Sequence, residues 1–337
     1  MSSLNNSILT ELYPGQGLGN QLWVYSASRS IAEHLGYSFA LKGVENFKGA
    51  SFLNLETNVA NNEVEFNSFL ITKEIKKFHE TTYYDKQLKY FSSGFDARVL
   101  NLKGVIQLEG LFQSEKYFFN DLTKIKRYIS IKKELLEKNK VSDKVAVLNI
   151  RGGEYKRHNK LVLPKSYWLN AIANMKEQAC VDDFLIVTDD LKYANALFPN
   201  YQVLMGGIGD CYATLYNAKN IILSNSSFAY FPVKTGHSKN IVIAPKCWSR
   251  FGNPYNRWAS VANCYSDWLW QDVNGQISSY HECINICNET ENFYEYSYNI
   301  RSLKSETFNK PFKQFVPSSI RNLVKKVLSV LFPKWIG

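Results

Sequence analysis

The sequence has no run of apolar residues long enough to form a transmembrane helix. Such a helix needs about 18 mainly apolar residues in succession, and no window of the 337-residue chain approaches that length. The first seven residues, MSSLNNS, also lack the basic and apolar regions of a signal peptide. We therefore expect a cytoplasmic protein that stays on the side of the membrane where it is made.

Metal-binding patterns are also scarce. Cys283 and Cys287 stand four residues apart, but no second Cys or His pair has the spacing typical of zinc sites. Without an export signal, the six cysteines are expected to be reduced thiols. The residues therefore predict neither a bound metal nor a disulfide framework.

Acidic residues are almost absent from the C-terminal segment. From Arg301 onward, eight basic residues and one acid, Glu306, account for +7 of the formal net charge of +10. A helix predicted over residues 318–332 carries apolar residues on one face and Lys325 and Lys326 on the other. This pattern is typical of helices that lie in a membrane interface, so we expect residues 318–335 to bind an anionic membrane surface.

Two other partners for this segment have to be weighed. The same apolar face would equally pack on the protein itself or on another protein. A nucleic acid is not expected, because the basic tail lacks interleaved aromatic residues on a sheet face and matches no recognisable binding module.

An alternation of short apolar runs with helical patterns dominates the second half of the chain. Continuous apolar strands separated by helices predict a parallel sheet covered on both faces, that is, a doubly wound α/β unit. The predicted strands are residues 145–150, 184–187, 201–204, 220–223 and 240–244, and the predicted helices are 166–175, 191–198, 211–219 and 227–235.

The first half begins in a similar way. A strand over residues 8–12 precedes a Gly-rich turn, a helix over 20–35 that ends at Gly36, and a strand over 37–41. Residues 42–100 are polar and irregular, 105–109 form a further strand and 114–128 a helix. We expect two Rossmann-like domains facing a cleft, with boundaries at 1–140 and 141–272, and a loop-like extension from 273 to the basic helix.

Polar residues follow several of the predicted strands. Gly17, Gly19 and Asn20 lie between a strand and a helix, where free backbone amides and the helix dipole favour a phosphate. A dinucleotide fingerprint does not fit, because Asn20 occupies the third glycine position and no acidic residue follows at the required distance. An ordinary Gly-rich turn is the alternative.

Three strand ends in the second half are also suited to ligand binding. Arg151 follows the first strand and offers paired donors to a diphosphate. Asp190 follows the next strand and either binds a ligand or caps the helix after it. Ser224-Asn225-Ser226-Ser227-Phe228 ends another strand at a helix start, where binding of an anion and helix capping again compete.

The order of these motifs resembles glycosyltransferase family 11, the α-1,2-fucosyltransferases of bacterial surface glycans and related enzymes. The resemblance covers residues 13 to 250. It is carried by Gly17-Leu-Gly19-Asn20-Gln21-Leu22, Gly110-Leu-Phe-Gln113-Ser-Glu-Lys-Tyr117-Phe118, Ser166-Tyr-Trp168, Val187-Thr-Asp-Asp190, Ser224-Asn-Ser-Ser-Phe228 and Ala244-Pro-Lys-Cys-Trp248.

The resemblance implies a GT-B fold and an inverting transfer from a GDP-sugar without metal or other cofactor. It implies that Arg151 neutralises the β-phosphate of the departing GDP. Asp190 and the Ser226–Phe228 backbone would hold the nucleotide, and Asn20 and Gln21 would approach the phosphate and sugar from the other domain. The acceptor would be a glycan or a lipid-linked oligosaccharide.

The chain departs from the family pattern beside Arg151. The family usually has His-x-Arg-Arg-Gly-Asp-Tyr, and here the segment reads Asn149-Ile-Arg151-Gly-Gly-Glu154-Tyr. Asn149 replaces a His that helps bind guanine in related enzymes, so the donor sugar stays open. Glu154 is the nearest candidate for the base that removes the acceptor proton.

The sequence therefore predicts transfer of L-fucose, or of a related deoxyhexose such as colitose, from a GDP-sugar to a glycan hydroxyl of an O-antigen or capsule, on the inner face of the cell membrane. The alternatives are a transferase for another nucleoside-diphosphate sugar and an inactive subunit that binds a nucleotide sugar.

Overall fold

A computed structural model describes residues 6–56, 75–158, 160–259 and 263–302. The chain divides into one compact unit, Met1–Glu295, and a second, Tyr296–Gly337. The predicted basic helix over 318–332 lies outside the described residues. Within the described parts, no helix is both long and apolar enough to cross a membrane.

The second half of the compact unit contains a seven-stranded sheet in the order β11-β10-β9-β12-β13-β14-β15. All neighbours are parallel except the pair β14 and β15. Apart from β15, the strands follow the Rossmann order 3-2-1-4-5-6 when counted from β9. The strands are β9 Val145–Ile150, β10 Asp183–Thr188, β11 Gln202–Val203, β12 Asn220–Leu223, β13 Ile241–Pro245, β14 Leu269–Gln271 and β15 Ile277–Ser278.

The first half contains a four-stranded parallel sheet in the order β2-β1-β7-β4. Two small antiparallel pairs, β3 with β8 and β5 with β6, accompany it. The chain thus has two Rossmann-like halves, as predicted. The strands are β1 Ser7–Glu11, β2 Ser38–Lys42, β3 Leu53–Leu55, β4 Ile75–His79, β5 Thr82–Asp85, β6 Tyr90–Ser93, β7 Val105–Glu109 and β8 Ile129–Ile131.

The helices connect these strands. The first, α1, ends as expected, because Gly36 takes a left-handed conformation with φ 68° and its amide bonds back to the last turn. The helices are α1 Leu18–Leu35, α2 Thr123–Tyr128, α3 Lys133–Lys138, α4 Lys165–Ala179, α5 Leu191–Leu197, α6 Ile208–Asn217, α7 Tyr230–Thr235 and α8 Tyr280–Ser302.

Three regions differ from the sequence prediction. The irregular stretch 42–100 contains β3 to β6, and β4 was missed because this edge strand carries adjacent lysines and only Phe78 is buried. The helix predicted over 114–128 is broken by left-handed Phe119 and Asn120, so that only a 3-10 turn, Glu115–Phe118, and α2 form.

The segment after residue 272 is also more ordered than predicted. The seven-stranded sheet continues to β15, and α8 follows where a loop was expected. The buried face of α8 consists of Cys283, Cys287, Thr290 and Tyr294, which have helical spacing but little aliphatic character. The helix was therefore not predicted, because its buried face does not give a periodic pattern of aliphatic residues.

The two halves share a continuous hydrophobic core. Trp23 on α1 packs against Tyr230 and Phe231 of α7, with ring centroids 4.2 and 5.3 Å away. Lys234, also on α7, is buried among aromatic rings, and its Nζ lies 2.9 Å from Glu115 Oε1 of the first half. These contacts fix the position of α1 relative to the second sheet.

Candidate functional site

Both sheets have a topological switch point, and three of the six motifs of the resemblance border one of them. In the first sheet the order reverses between β1 and β7, whose carboxyl ends lead to the Gly15–Gly19 turn and to residues 110–113. In the second it reverses between β9 and β12, which lead to Arg151 and to Ser224–Phe228. Ligands of open α/β sheets bind in the crevice outside such strand ends.

The two crevices meet at Gly19. A Cβ atom on this residue would lie 2.4 Å from the carbonyl carbon of Ser227 and 2.5 Å from the amide nitrogen of Phe228. Gly19 is therefore required so that the start of α1 can approach the Ser227 backbone. Gly17 differs, since a Cβ there would meet no atom of the described residues within 4 Å beside the N-cap of α1.

Asn20 connects three segments that are distant in sequence. Its Oδ1 accepts a hydrogen bond from Gln113 Nε2 at 2.8 Å and another from Ser227 Oγ at 2.8 Å. The Ser227 hydroxyl is thereby engaged within the protein. In the part of the chain that the structure describes, Asn20 Nδ2 donates to no residue, and α1 receives no side-chain cap at its N-terminus.

Gln21, predicted to contact the ligand, does not fit that role. It is completely buried, its Nε2 donates to Asn46 O at 2.7 Å, and its Oε1 accepts from the amide of Lys48 at 2.9 Å. Both ends of the carboxamide thus satisfy the backbone of one loop. We assign Gln21 to the folding of the first half and correct the prediction accordingly.

Arg151 lies at the other side of the site and is held by Asp189. Its Nη1 is 2.7 Å from Asp189 Oδ2, and its Nη2 makes a longer contact of 3.4 Å with Glu154 Oε1. The guanidinium also lies 5.3 Å from the ring centre of Tyr155. The Arg151 side chain is 28% exposed, and its Nε is buried without a hydrogen-bond partner among the described residues.

The two glycines after Arg151 allow the turn to lie against Asp189 and Asp190. A Cβ on Gly152 would lie 2.8 Å from Asp190 Cβ, and one on Gly153 would lie 2.2 Å from Asp189 Oδ2. Gly152 also donates its amide to Asp189 Oδ1 at 2.9 Å. The turn therefore packs directly on the end of β10, and Asp189, not Asp190, orients the arginine.

Asp190 caps the helix that follows it, which was one of the two roles predicted for this residue. Its Oδ1 accepts from the amide of Tyr193 at 3.0 Å, which caps α5. Lys156 pairs with the same carboxylate, and this hydrogen bond is the main cause that lowers the pKa of Asp190. The Asp190 carboxylate is thus already bonded to Tyr193 and Lys156, and it has fewer lone pairs for a nucleotide than the resemblance implied.

The Asn149 and Ser224–Ser226 group is buried beneath the site. Ser224 Oγ donates to Asn149 Oδ1 at 3.1 Å across β9 and β12. Asn225 donates through Nδ2 to Leu161 O at 3.0 Å, and its Oδ1 is buried without a partner in the ranges that the structure describes. Ser226 caps the 3-10 turn Ser227–Ala229 by accepting from the amide of Phe228.

Pro232 does not disturb the following helix. It is the third residue of α7, where an amide would have no partner four residues earlier within the helix. The Ser226 cap and the first turn of the helix therefore remain intact.

Tyr155 links the arginine to the serine segment. Its hydroxyl lies 3.4 Å from the carbonyl oxygen of Asn225, and burial raises the pKa of this phenol. Arg151, Tyr155, the segment Asn225–Ser227 and Asn20 thus form one continuous series of contacts. No group of three or more His, Cys, Asp or Glu side chains in the described ranges is arranged to hold a metal ion.

Comparison with known proteins adds an independent observation. The chain is similar to an α-1,2-colitosyltransferase from Escherichia coli. The two are 25% identical over 264 residues, which span 69% of this chain and 89% of that protein. No protein-family model matches the chain, so membership of glycosyltransferase family 11 remains a prediction.

Two solved structures are similar at a lower level. POFUT1 in complex with GDP-fucose has a TM-score of 0.44 at 12% identity and aligns over 72% of this chain and 98% of its own. The fucosyltransferase NodZ from Bradyrhizobium has a TM-score of 0.41 at 12% identity over 68% and 93%. The fold assignment rests on the two strand orders described above.

Sequence reasoning missed three members of the site. Gln113 was noted only as part of a motif, Asp189 was passed over in favour of Asp190, and Glu80 was not considered. Glu80 Oε2 accepts from the amides of Leu111 and Phe112, at 2.9 Å each, and so fixes the turn that carries Gln113. A Gly-x-x-Gln turn directly after a strand was the available signal.

Proposed function

We propose that this protein is a glycosyltransferase that moves a deoxyhexose, L-fucose or colitose, from a GDP-sugar to a glycan hydroxyl. The transfer inverts the anomeric carbon, needs no metal, and forms an α-1,2 linkage in a bacterial O-antigen or capsule. The observation that supports this most strongly is that Arg151 and the Asn20 and Ser227 pair, drawn from both switch points, form one series of contacts. The similarity to the colitosyltransferase agrees with it.

Arg151 supplies the positive charge for the departing diphosphate. Asp189 pairs with Nη1 and sets the plane of the guanidinium, whereas among the described residues Nη2 has only the long contact with the exposed Glu154. A phosphate that displaces Glu154 gains a charge-assisted hydrogen bond without disturbing Asp189. Because the negative charge on the β-phosphate grows as the sugar departs, this contact strengthens in the transition state.

The N-terminus of α1 supplies the second group of donors. Its first amides have no side-chain cap, the helix dipole favours an anion there, and Gly17 leaves the approach open. Asn20 Nδ2 adds one more donor. The donor's diphosphate and sugar thus lie between this helix start and Arg151.

Glu154 does not suit the role of the general base. In an inverting displacement the acceptor hydroxyl attacks from the side opposite to the leaving phosphate, whereas Glu154 contacts the arginine assigned to that phosphate. Its side chain is also 70% exposed. We therefore expect Glu154→Gln to retain turnover, and a large loss of kcat in this variant would restore Glu154 as the base.

A nucleotide panel tests the proposal. Isothermal titration of the purified protein with GDP, UDP, CDP and dTDP, each with and without EDTA, should show tightest binding to GDP and no effect of EDTA. Arg151→Ala should weaken GDP binding by about 10- to 100-fold, since a hydrogen bond to a charged group contributes about 1.5–3 kcal/mol. Arg127→Ala is the matched control, because Arg127 also pairs with a carboxylate, Glu33, and is exposed.

The outcome separates the alternatives. Preference for UDP together with a metal requirement would refute the proposed donor. Binding of GDP without transfer or hydrolysis of GDP-fucose or GDP-colitose would instead favour the inactive subunit. Equal GDP affinity in Arg151→Ala and Arg127→Ala would remove Arg151 from the site.

We also propose that the basic segment 318–335 holds the protein on the anionic inner face of the cell membrane, close to a lipid-linked acceptor. The charge and spacing of this segment support the proposal. Deletion of residues 315–337 should release the protein from membrane fractions. A truncated protein that still sediments with membranes would contradict it.

A further inference from the structure

We propose that Gln113 is a positioning residue that, together with Ser227, orients the carboxamide of Asn20 so that its Nδ2 faces the donor's diphosphate. This inference rests on the proposed function and assigns a role to a residue that the functional argument has not used. The ligand chemistry concerned is the anionic oxygens of a nucleoside diphosphate.

The geometry at Asn20 is the main support. A carboxamide oxygen has two lone pairs, and here both are used, by Gln113 Nε2 and by Ser227 Oγ, each at 2.8 Å. Both hydrogens of Nδ2 are left without a partner in the described parts of the chain. Gln113 and Ser227 thus hold the Oδ1 of Asn20 and leave its Nδ2 available as a donor.

Gln113 is itself held in place from two directions. The preceding turn is fixed by Glu80, as described above, and a Cβ on Gly110 would lie 2.5 Å from Glu80 Cβ, so the turn packs tightly on that carboxylate. The carbonyl oxygen of Gln113 accepts from Asn263 Nδ2 at 3.3 Å. Gln113 therefore comes from a rigid element, and its amide defines the orientation of Asn20.

Loss of the Gln113 donor has a specific consequence. Asn20 would keep one hydrogen bond, to Ser227, and its carboxamide would be able to turn its oxygen toward the phosphate. An acceptor that faces an anion repels it and leaves the phosphate oxygen without a partner, which costs more than a missing contact. The effect of Gln113 on the ligand thus passes entirely through Asn20.

The experiment is a double-mutant cycle on the full-length protein, with GDP as the probe. The variants are Gln113→Met, Asn20→Ala and the double variant, and GDP affinity is measured by isothermal titration alongside kcat and KM for the sugar donor. We expect Gln113→Met to weaken GDP binding about tenfold, the effect of one hydrogen bond, and to cause no further loss in the Asn20→Ala background. Gln202→Met, the same change at an exposed glutamine of β11, is the control and should bind GDP as the wild type does.

The cycle discriminates between positioning and general stability. A residue that only stabilises the fold would weaken binding equally in both backgrounds, and such additivity would overturn the inference, as would unchanged GDP affinity in Gln113→Met. If Gln113→Met does not fold, Ser227→Ala removes the other donor to Asn20 and must show the same non-additivity with Asn20→Ala. Failure of the wild type to bind GDP refutes the proposed function itself, which is a separate result.

Discussion

Substitution of Gly19 by alanine tests whether the close approach between the two halves forms the site. The added methyl group would lie 2.4 Å from the carbonyl carbon of Ser227 and 2.5 Å from both Ser227 O and Phe228 N. Ordinary contact distances are about 3.5–4.0 Å. All three neighbours are backbone atoms, so relief requires that α1 and the Ser227 segment separate by about 1 Å.

The energetic cost follows from this displacement. Overpacking by one methyl group costs about 1–3 kcal/mol. A shift of this size lengthens the Asn20–Ser227 hydrogen bond from 2.8 Å beyond bonding distance, at a further cost of about 0.5–1.5 kcal/mol. The higher helix propensity of alanine returns up to about 1 kcal/mol. The net expected loss is about 2 kcal/mol in the free energy of unfolding.

Gly17→Ala is the matched control, because a Cβ there meets nothing within 4 Å and the backbone φ is −68°. Its unfolding free energy should change by less than about 1 kcal/mol, since only the N-cap preference is affected. Urea denaturation measures the stability of both variants, and titration with GDP measures the site. If Gly19→Ala matches Gly17→Ala in both assays, the two halves do not form the site through this contact.

Two further variants test the network around the site. Desolvation raises the pKa of buried Glu80 from 4.5 to about 7. Between these pH values the native state therefore binds more protons than the unfolded state. The free energy of unfolding should fall as pH rises from 4.5 to 7, by up to about 3 kcal/mol. Glu80→Gln should lose this contribution, so its stability relative to wild type should rise across that window in urea titrations; a constant difference would contradict the raised pKa. Lys234→Met should destabilise the protein by about 3 kcal/mol, because it leaves the Glu115 carboxylate without its cation, and adding Glu115→Gln should recover most of this loss. If the double variant is no more stable than Lys234→Met, the pair does not stabilise the contact between the two halves.

The pattern of apolar residues was enough to assign the class of the fold. Buried strands such as β9 and β12 are continuous apolar runs, and the helices between them have their own period, so their bounds were readable without a structure. The polar residues after these strands were expected to lie near one another, because the carboxyl ends of parallel strands meet at one edge; their role as a ligand site stays a prediction. Edge strand β4 and helix α8 were not predicted, because their buried faces contain few aliphatic residues.

The contacts of each polar residue, in contrast, became known from the folded structure. Gln21 stands beside Asn20 in the sequence, yet one is buried against a loop and the other joins Gln113 and Ser227. Asp189 and Asp190 are likewise adjacent, and only the first holds Arg151. Adjacent side chains point in different directions along a helix or at a strand end, and their partners come from segments 25 to 207 residues away in the chain. Hydrophobic periodicity reports which face of an element is buried, and it contains no information about which polar group of a distant segment that face will meet.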